Sequence, residues 1–253
     1  MRIRVFRTPR AAAHALAGHI AHAVAANPRL VLGLPTGRTP IPVYRELTAL
    51  CRSYRIDFSR TTTFNLDEFL GVPAHHPGSF RAFMQRHLFD RVNLPPRRIH
   101  FLNGAARDAT AECARYERAI ARAGGIDLQI LGLGGNGHIG FNEPAVTLYA
   151  RTHRTRLTPA TRRANRFLFA NRLAAVPREA LSMGMATILH ARRVVVLVTG
   201  REKARCVDGM IDGPLTPKLP ASFLQLHQDV EVWLDRASAS RLRQGGPVAT
   251  APR

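Results

Sequence analysis

The chain has 253 residues, with Lys and Arg totalling 37 against 17 Asp and Glu, for a formal net charge of +20. That length suits one α/β domain with a full core, and no Pro-, Gly- or Ser-rich linker divides it. No run of about 18 apolar residues is present to span a membrane, and Cys51, Cys113 and Cys206 are too scattered to signal a disulfide framework or a zinc site. The positive balance raises nucleic acid as a partner. Against it, Lys203 and Lys218 are the only lysines, and the arginines neither form a block nor interleave with aromatics. The expectation is therefore a cytoplasmic protein with no specific nucleic-acid or membrane partner, whose surface field draws small anions inward.

In chain order, strands are expected at Arg2–Phe6, Arg29–Leu34, Thr61–Asn65, Arg98–Leu102, Ile126–Leu133, Arg193–Thr199 and Val230–Leu234. Helical patterns fall near 10–25, 40–53, 79–90, 108–123, 177–190 and 201–212. The Ala-rich stretch after the first strand reads as an amphipathic helix and not an export signal, because His14, His19 and His22 interrupt it. Pro40 suits a first helical turn, Pro177 is expected to open a helix, and Ser79 suits an N-cap. Strand alternating with helix predicts a single-domain, doubly wound, mostly parallel sheet with helices on both faces, a Rossmann-like α/β fold over 1–235. The tail Arg236–Arg253 is expected to fray.

In such a sheet ligands gather at the carboxyl ends of the strands. Pro35-Thr36-Gly37-Arg38-Thr39-Pro40 follows the second strand, Asp67-Glu68 the third, a glycine-rich loop the fifth, and Gly200-Arg201-Glu202-Lys203 the sixth. These ends supply an anion-friendly turn, a carboxylate, an acid/base pair and a cation. The turn can hold a phosphate on helix-start amides and the Thr36 and Thr39 hydroxyls; it is equally an ordinary strand-to-helix turn capped by Thr39. It lacks the glycine spacing and following Lys of a Walker A loop.

The glycine-rich loop, Gly132-Leu-Gly-Gly-Asn136-Gly-His138-Ile-Gly-Phe-Asn-Glu143-Pro144, is the most informative segment. Gly132, Gly134 and Gly137 formally match GxGxxG, but no acidic residue lies between Glu143 and Glu179 to bind a ribose, so the dinucleotide reading is weak. His138 with Glu143 suits a general acid/base and its orienting partner; a loop histidine that merely caps a carbonyl is the commoner case. Zinc ligation is disfavoured, because no third ligand has an obvious spacing.

Taken together, Gly-Leu-Pro-Thr-Gly-Arg-Thr-Pro at 33–40, Phe64-Asn-Leu-Asp67-Glu68-Phe-Leu-Gly, His76-Pro-Gly-Ser79-Phe, the His138 loop ending in Phe-Asn-Glu143-Pro, and Leu224-Gln-Leu-His227 resemble the glucosamine-6-phosphate deaminase family of glucosamine/galactosamine-6-phosphate isomerases. The resemblance runs from about Val5 to Asp235. It implies deamination and aldose–ketose isomerisation of glucosamine 6-phosphate to fructose 6-phosphate and ammonia, with no metal or organic cofactor. By the same resemblance His138 opens the ring, Asn136 and Glu143 orient it, Asp67 carries a proton between C2 and C1, and Glu68 supports the loop. Thr36, Gly37, Arg38, Thr39 and Lys203 hold the phosphate. A phosphate-binding arginine is expected where Phe167 stands, which leaves Arg166 one helical position away, about 100° round. Asn136 occupies a position that is Asp in some members. His153 and Thr155 stand at the cationic positions that bind an allosteric activator in larger members, so activation by N-acetylglucosamine 6-phosphate is expected to be weak or absent. The resemblance leaves a homo-oligomer open. It also leaves three rivals: a galactosamine 6-phosphate enzyme, a 6-phosphogluconolactonase and a non-catalytic sugar-phosphate sensor.

Overall fold

The structure is a computed structural model that describes residues 1–242 and, by backbone alone, 248–250. Its strands are β1 Arg2–Phe6, β2 Val31–Leu34, β3 Thr62–Asn65, β4 Asp67–Phe69, β5 Ile99–His100, β6 Leu128–Gly132, β7 His153–Arg156, β8 Glu179–Ser182, β9 Arg193–Val198, β10 Val230–Asp235 and β11 Val248–Thr250. Its helices are α1 Pro9–Ala26, α2 Ile41–Arg52, α3 Phe80–His87, α4 Ala109–Arg122, α5 Pro159–Asn165, α6 Met185–Leu189 and α7 Ala204–Asp212. The main sheet runs β11-β1-β10-β9-β6-β2-β3-β5, and all its pairs are parallel.

Alternation along the central strands explains why this sheet is covered on both sides. Val195 and Leu197 of β9 pack with Leu16 and Ile20 of α1, Leu47 of α2 and Phe83 of α3. Val194, Val196 and Val198 of the same strand pack with Tyr116 of α4, Ile188 of α6 and Val207 of α7. Successive side chains of a strand point to opposite faces, so a run apolar at every position requires two cores. The doubly wound, mostly parallel architecture expected from the sequence is the one observed.

A second, antiparallel sheet of order β4-β8-β7 was not expected. The helix expected over 177–190 is instead β8 followed by the short α6, and Pro177 precedes a strand. Pairing overrides local helix propensity here: Glu179–Ser182 is hydrogen-bonded to β4 on one edge and β7 on the other, and Arg154 reaches across to Glu179 at 2.7 Å. Pro40 stands at the N-cap position of α2, just outside it, with Pro42 in the first turn, and Ser79 caps α3 through Ala82 N at 2.9 Å. Within the tail, Ser238 is buried and donates to Val198 O at 2.9 Å, and β11 lies beside β1. The expectation of fraying for 243–247 and 251–253 lies outside the described residues. None of the described helices is long and apolar enough to cross a membrane.

Candidate active site

β2 and β6 are hydrogen-bonded neighbours, yet the next strands that the chain adds to the main sheet lie on opposite sides, β3 and β5 beyond β2 and, after β7 and β8 of the other sheet, β9 and β10 beyond β6. Their following loops therefore diverge and leave a crevice at the carboxyl ends, where open α/β sheets bind ligands. The turn 35–40 leaves β2 and the glycine-rich loop leaves β6. The antiparallel sheet adds the third component, because β4 presents Asp67 to the same loop.

In that loop, Asn136 donates from Nδ2 to Glu143 Oε2 at 2.9 Å, which fixes which end of its amide faces His138. Its Oδ1 then accepts from the His138 backbone N at 3.2 Å and stands 2.7 Å from the ring Nδ1. A carbonyl oxygen only accepts, so Nδ1 carries a proton and Nε2 of the neutral ring is left as the base. Burial, the largest single influence on Glu143, would raise its pKa, but His138, Thr161 and Asn136 together outweigh it and hold the carboxyl at about 2. Glu143 Oε2 lies 3.6 Å from His138 Nδ1 and stays anionic beside it. The ring sits where a β-carbon of residue 134 would be, so only glycine leaves it room there.

Asp67 is buried, and among the described residues its carboxylate accepts no hydrogen bond. Burial raises its pKa well above the ordinary aspartate value, and Glu68 adds to the shift. Its Oδ2 faces Gly140, two residues beyond His138: a β-carbon there would stand 3.6 Å from that oxygen and 3.0 Å from Ser182 Oγ. The contact is held from behind. Asp67 pairs with Ser182 between β4 and β8, Ser182 Oγ accepts from Phe141 N at 3.0 Å, and Asn142 Nδ2 donates to Met183 O at 2.8 Å. Glu68 is no exposed turn residue. It accepts from Phe69, Phe80 and Arg81 amides, each at 2.9 Å, and so caps the start of α3. Burial still raises its pKa to about 7 against those donors.

At the other side of the crevice, no side chain caps α2, so Thr39 is not its cap; Ile41 N donates to Arg38 O at 3.3 Å and Pro42 has no N–H, so the donors left for an anion in this first turn are the Val43 amide and those of the 36–39 turn ahead of it. Thr36 and Gly37 are half-buried and Arg38 is exposed. Lys203, just ahead of α7, donates from Nζ to Leu133 O at 2.9 Å, at the root of the glycine-rich loop. Burial lowers its pKa, with Glu202 pulling the other way. Arg166 is exposed on a short 3-10 turn after α5. It is the next residue, Phe167, that meets the turn: the Arg38 guanidinium carbon lies 4.6 Å from the Phe167 ring centroid. Among the described residues no group of three or more His, Cys, Asp or Glu stands ready to hold a metal ion.

Sequence reasoning missed three contributors. Ser182 gave no signal, because its role depends on the unexpected strand β8. Thr158 caps α5 through Thr161 N at 3.2 Å and donates to Glu143 Oε1 at 3.3 Å; the Thr-Pro pair at 158–159 signals a helix start, but nothing local ties it to Glu143. Phe167 was noted only for the charge it lacks.

The glucosamine-6-phosphate isomerase/6-phosphogluconolactonase family model matches residues 7–233 of the chain. The chain belongs to this family. Among curated members, it is 48% identical to a glucosamine-6-phosphate deaminase of Halothermothrix orenii over 88% of its own length and 92% of the relative's. It is 45% identical to glucosamine-6-phosphate deaminase 2 of Giardia intestinalis, over 92% and 89% respectively. A solved structure of a monomeric glucosamine-6-phosphate deaminase superposes with a TM-score of 0.92 at 39% identity, covering 96% of this chain and all 100% of the other. A 6-phosphogluconolactonase from Trypanosoma cruzi superposes with a TM-score of 0.77 at 23% identity, covering 95% and 96%, a likeness of fold alone.

Proposed function

We propose that this family member deaminates and isomerises glucosamine 6-phosphate to fructose 6-phosphate and ammonia. The observation that carries the reading is the meeting of Asp67 Oδ2 with the His138 loop at Gly140, which lets one hexose face both groups. The phosphate sits on the 36–39 turn with Lys203 nearby, so the sugar carbons extend towards β4 and β6. His138, with Nε2 free, takes the proton of the anomeric hydroxyl and delivers it to the ring oxygen as the ring opens. Asp67 then removes the C2 proton to give an enolamine and returns it at C1. Water adds to the resulting C2 imine to give a carbinolamine, from which ammonia leaves to yield the ketose. No metal or organic cofactor has a part in this sequence.

Asp67 is suited to that work because it is buried and, among the described residues, its carboxylate accepts no hydrogen bond. In the free protein it favours the neutral form; an ammonium on C2 of the substrate brings a positive charge that favours the anion. The base is thus armed by the amino sugar itself. An exposed carboxylate would be anionic from the start but weakly basic and shared with water.

Incubating the protein separately with glucosamine 6-phosphate, galactosamine 6-phosphate and 6-phosphogluconolactone, while measuring ammonia and acid release, tests the reading. Ammonia from glucosamine 6-phosphate, exceeding that from its galactosamine epimer and without lactone hydrolysis, is the expected result. Turnover of the lactone alone, or of nothing, removes the proposal.

A further inference from the structure

The turn that leaves β2 carries a side chain whose orientation neither the fold nor the chemistry above explains. Arg38 is exposed, and among the described residues no carboxylate pairs with it and no hydrogen bond uses its guanidinium. Among the described residues its guanidinium's one specific contact is the Phe167 ring, 4.6 Å from guanidinium carbon to ring centroid. Phe167 belongs to the short turn after α5 and is half-buried, its own packing fixed against the core beside Phe169.

A guanidinium has two separable recognition surfaces. Its flat face stacks on an aromatic ring, while its N–H donors radiate in the plane and fit a phosphate in a fork. Stacking therefore orients Arg38 without using its donors. A free arginine side chain is highly mobile and must be immobilised when it grips a ligand. Here the ring has already done part of that, on the turn that leads into α2.

We propose that Phe167 is a positioning residue for phosphate binding: it holds the Arg38 guanidinium flat on its ring so that the in-plane donors close on the phosphate carried by the 36–39 turn. The pair supplies from the turn itself the cation that Arg166, facing solvent, does not. It also makes the 159–169 segment part of the phosphate grip, since the ligand is reached through a residue of each side. This inference rests on the proposed site and refines how its anion is held.

The test measures inorganic phosphate affinity by calorimetry, which needs no turnover, beside KM and kcat for glucosamine 6-phosphate. Phe167→Leu keeps an apolar side chain but removes the π face, and is expected to weaken phosphate binding and raise KM roughly two- to fivefold, the range of an exposed cation–π contact, with kcat little moved. Phe167→Tyr restores the wild-type values. Arg38→Ala loses about tenfold or more, as expected for a charge-assisted hydrogen bond, and adding Phe167→Leu to it produces no further loss. Should Phe167→Leu fail to fold, Arg38→Lys decides: an ammonium keeps the charge but has neither the flat face nor the planar fork, so its phosphate affinity should fall by roughly two- to fivefold or more while staying above that of Arg38→Ala. Wild-type phosphate affinity in Phe167→Leu or in Arg38→Lys, an equal effect of Phe167→Leu with and without Arg38, or a wild-type protein that binds no phosphate would each overturn the pairing. A protein that binds phosphate through this pair but releases no ammonia would leave the inference standing and remove the functional reading instead.

Discussion

Among the described residues every hydrogen bond to the carboxylates of the Asp67–Glu68 pair goes to Glu68: three backbone amides donate to it, whereas the Asp67 carboxylate accepts none. Two adjacent buried carboxyls cannot both ionise cheaply, and the amides and the start of α3 favour the charge on Glu68. Asp67 is the one that keeps its proton, with burial the main cause and Glu68 the second. A carboxyl whose folded pKa is raised contributes stability that is fully present below the ordinary value of about 3.9 and is lost as pH rises through the folded value. Asp67→Asn does not titrate. Its melting temperature should exceed that of the wild type by a margin that widens from pH 5 to pH 8, as read in thermal unfolding scans; a constant or shrinking margin contradicts the assignment.

Glu143 has the opposite sign. Its carboxyl is held at about 2, so its contribution is present above the ordinary glutamate value and is lost as pH falls towards 2. Glu143→Gln should therefore flatten the acid limb of the melting-temperature profile. The same substitution frees the Asn136 amide to turn over, which removes the reason for a proton on Nδ1 of His138. The kcat for ammonia release is expected to drop by roughly 10²-fold, the lower end of what a positioned acid–base group contributes, with KM changed far less.

The seat of the imidazole gives a third expectation. Gly134→Ala places a methyl where the His138 ring now lies, so the ring must move away from Asn136. Turnover should fall by about 10²-fold or more, while far-ultraviolet circular dichroism and the melting transition remain close to wild type. Undiminished turnover would show that the ring does not act from this seat.

The parallel sheet and its helices were legible because their signal is local and repeated. Val194–Val198 is apolar at every position, which only a strand covered on both faces can satisfy, and Ser79 and Pro40 mark helix starts where they were expected. β8 was not legible. Arg178-Glu-Ala-Leu-Ser182 has no strand signature of its own, and its identity comes from hydrogen bonds to β4 and β7, which lie far away in sequence. The same holds in the site. The glycines, His138 and Glu143 declare themselves within one loop, but the approach of Asp67 to that loop depends on Ser182 and Asn142 across a sheet that no local pattern announces. Phe167 under Arg38 is a contact between residues 129 positions apart, readable only once the chain is folded.

His153 of β7 stacks on Tyr149 with ring centroids 4.4 Å apart, and its Nδ1 lies 3.1 Å from Arg151 O. With its ring so engaged and burial lowering its pKa, it presents no fixed positive charge, and Thr155 two residues on presents none. Substrate saturation should be hyperbolic, and N-acetylglucosamine 6-phosphate should leave the curve unchanged. A sigmoidal curve made hyperbolic by that ligand would contradict the expectation.

The central claim, that Asp67 and His138 act on one bound sugar, is tested most directly by comparing ammonia release with substrate affinity in Asp67→Asn. The account predicts turnover of glucosamine 6-phosphate reduced by about 10³-fold, within the span of general acid–base contributions, with an affinity for the same compound, measured by calorimetry, within a few fold of wild type. Turnover retained to within tenfold, or lost together with binding, would contradict it.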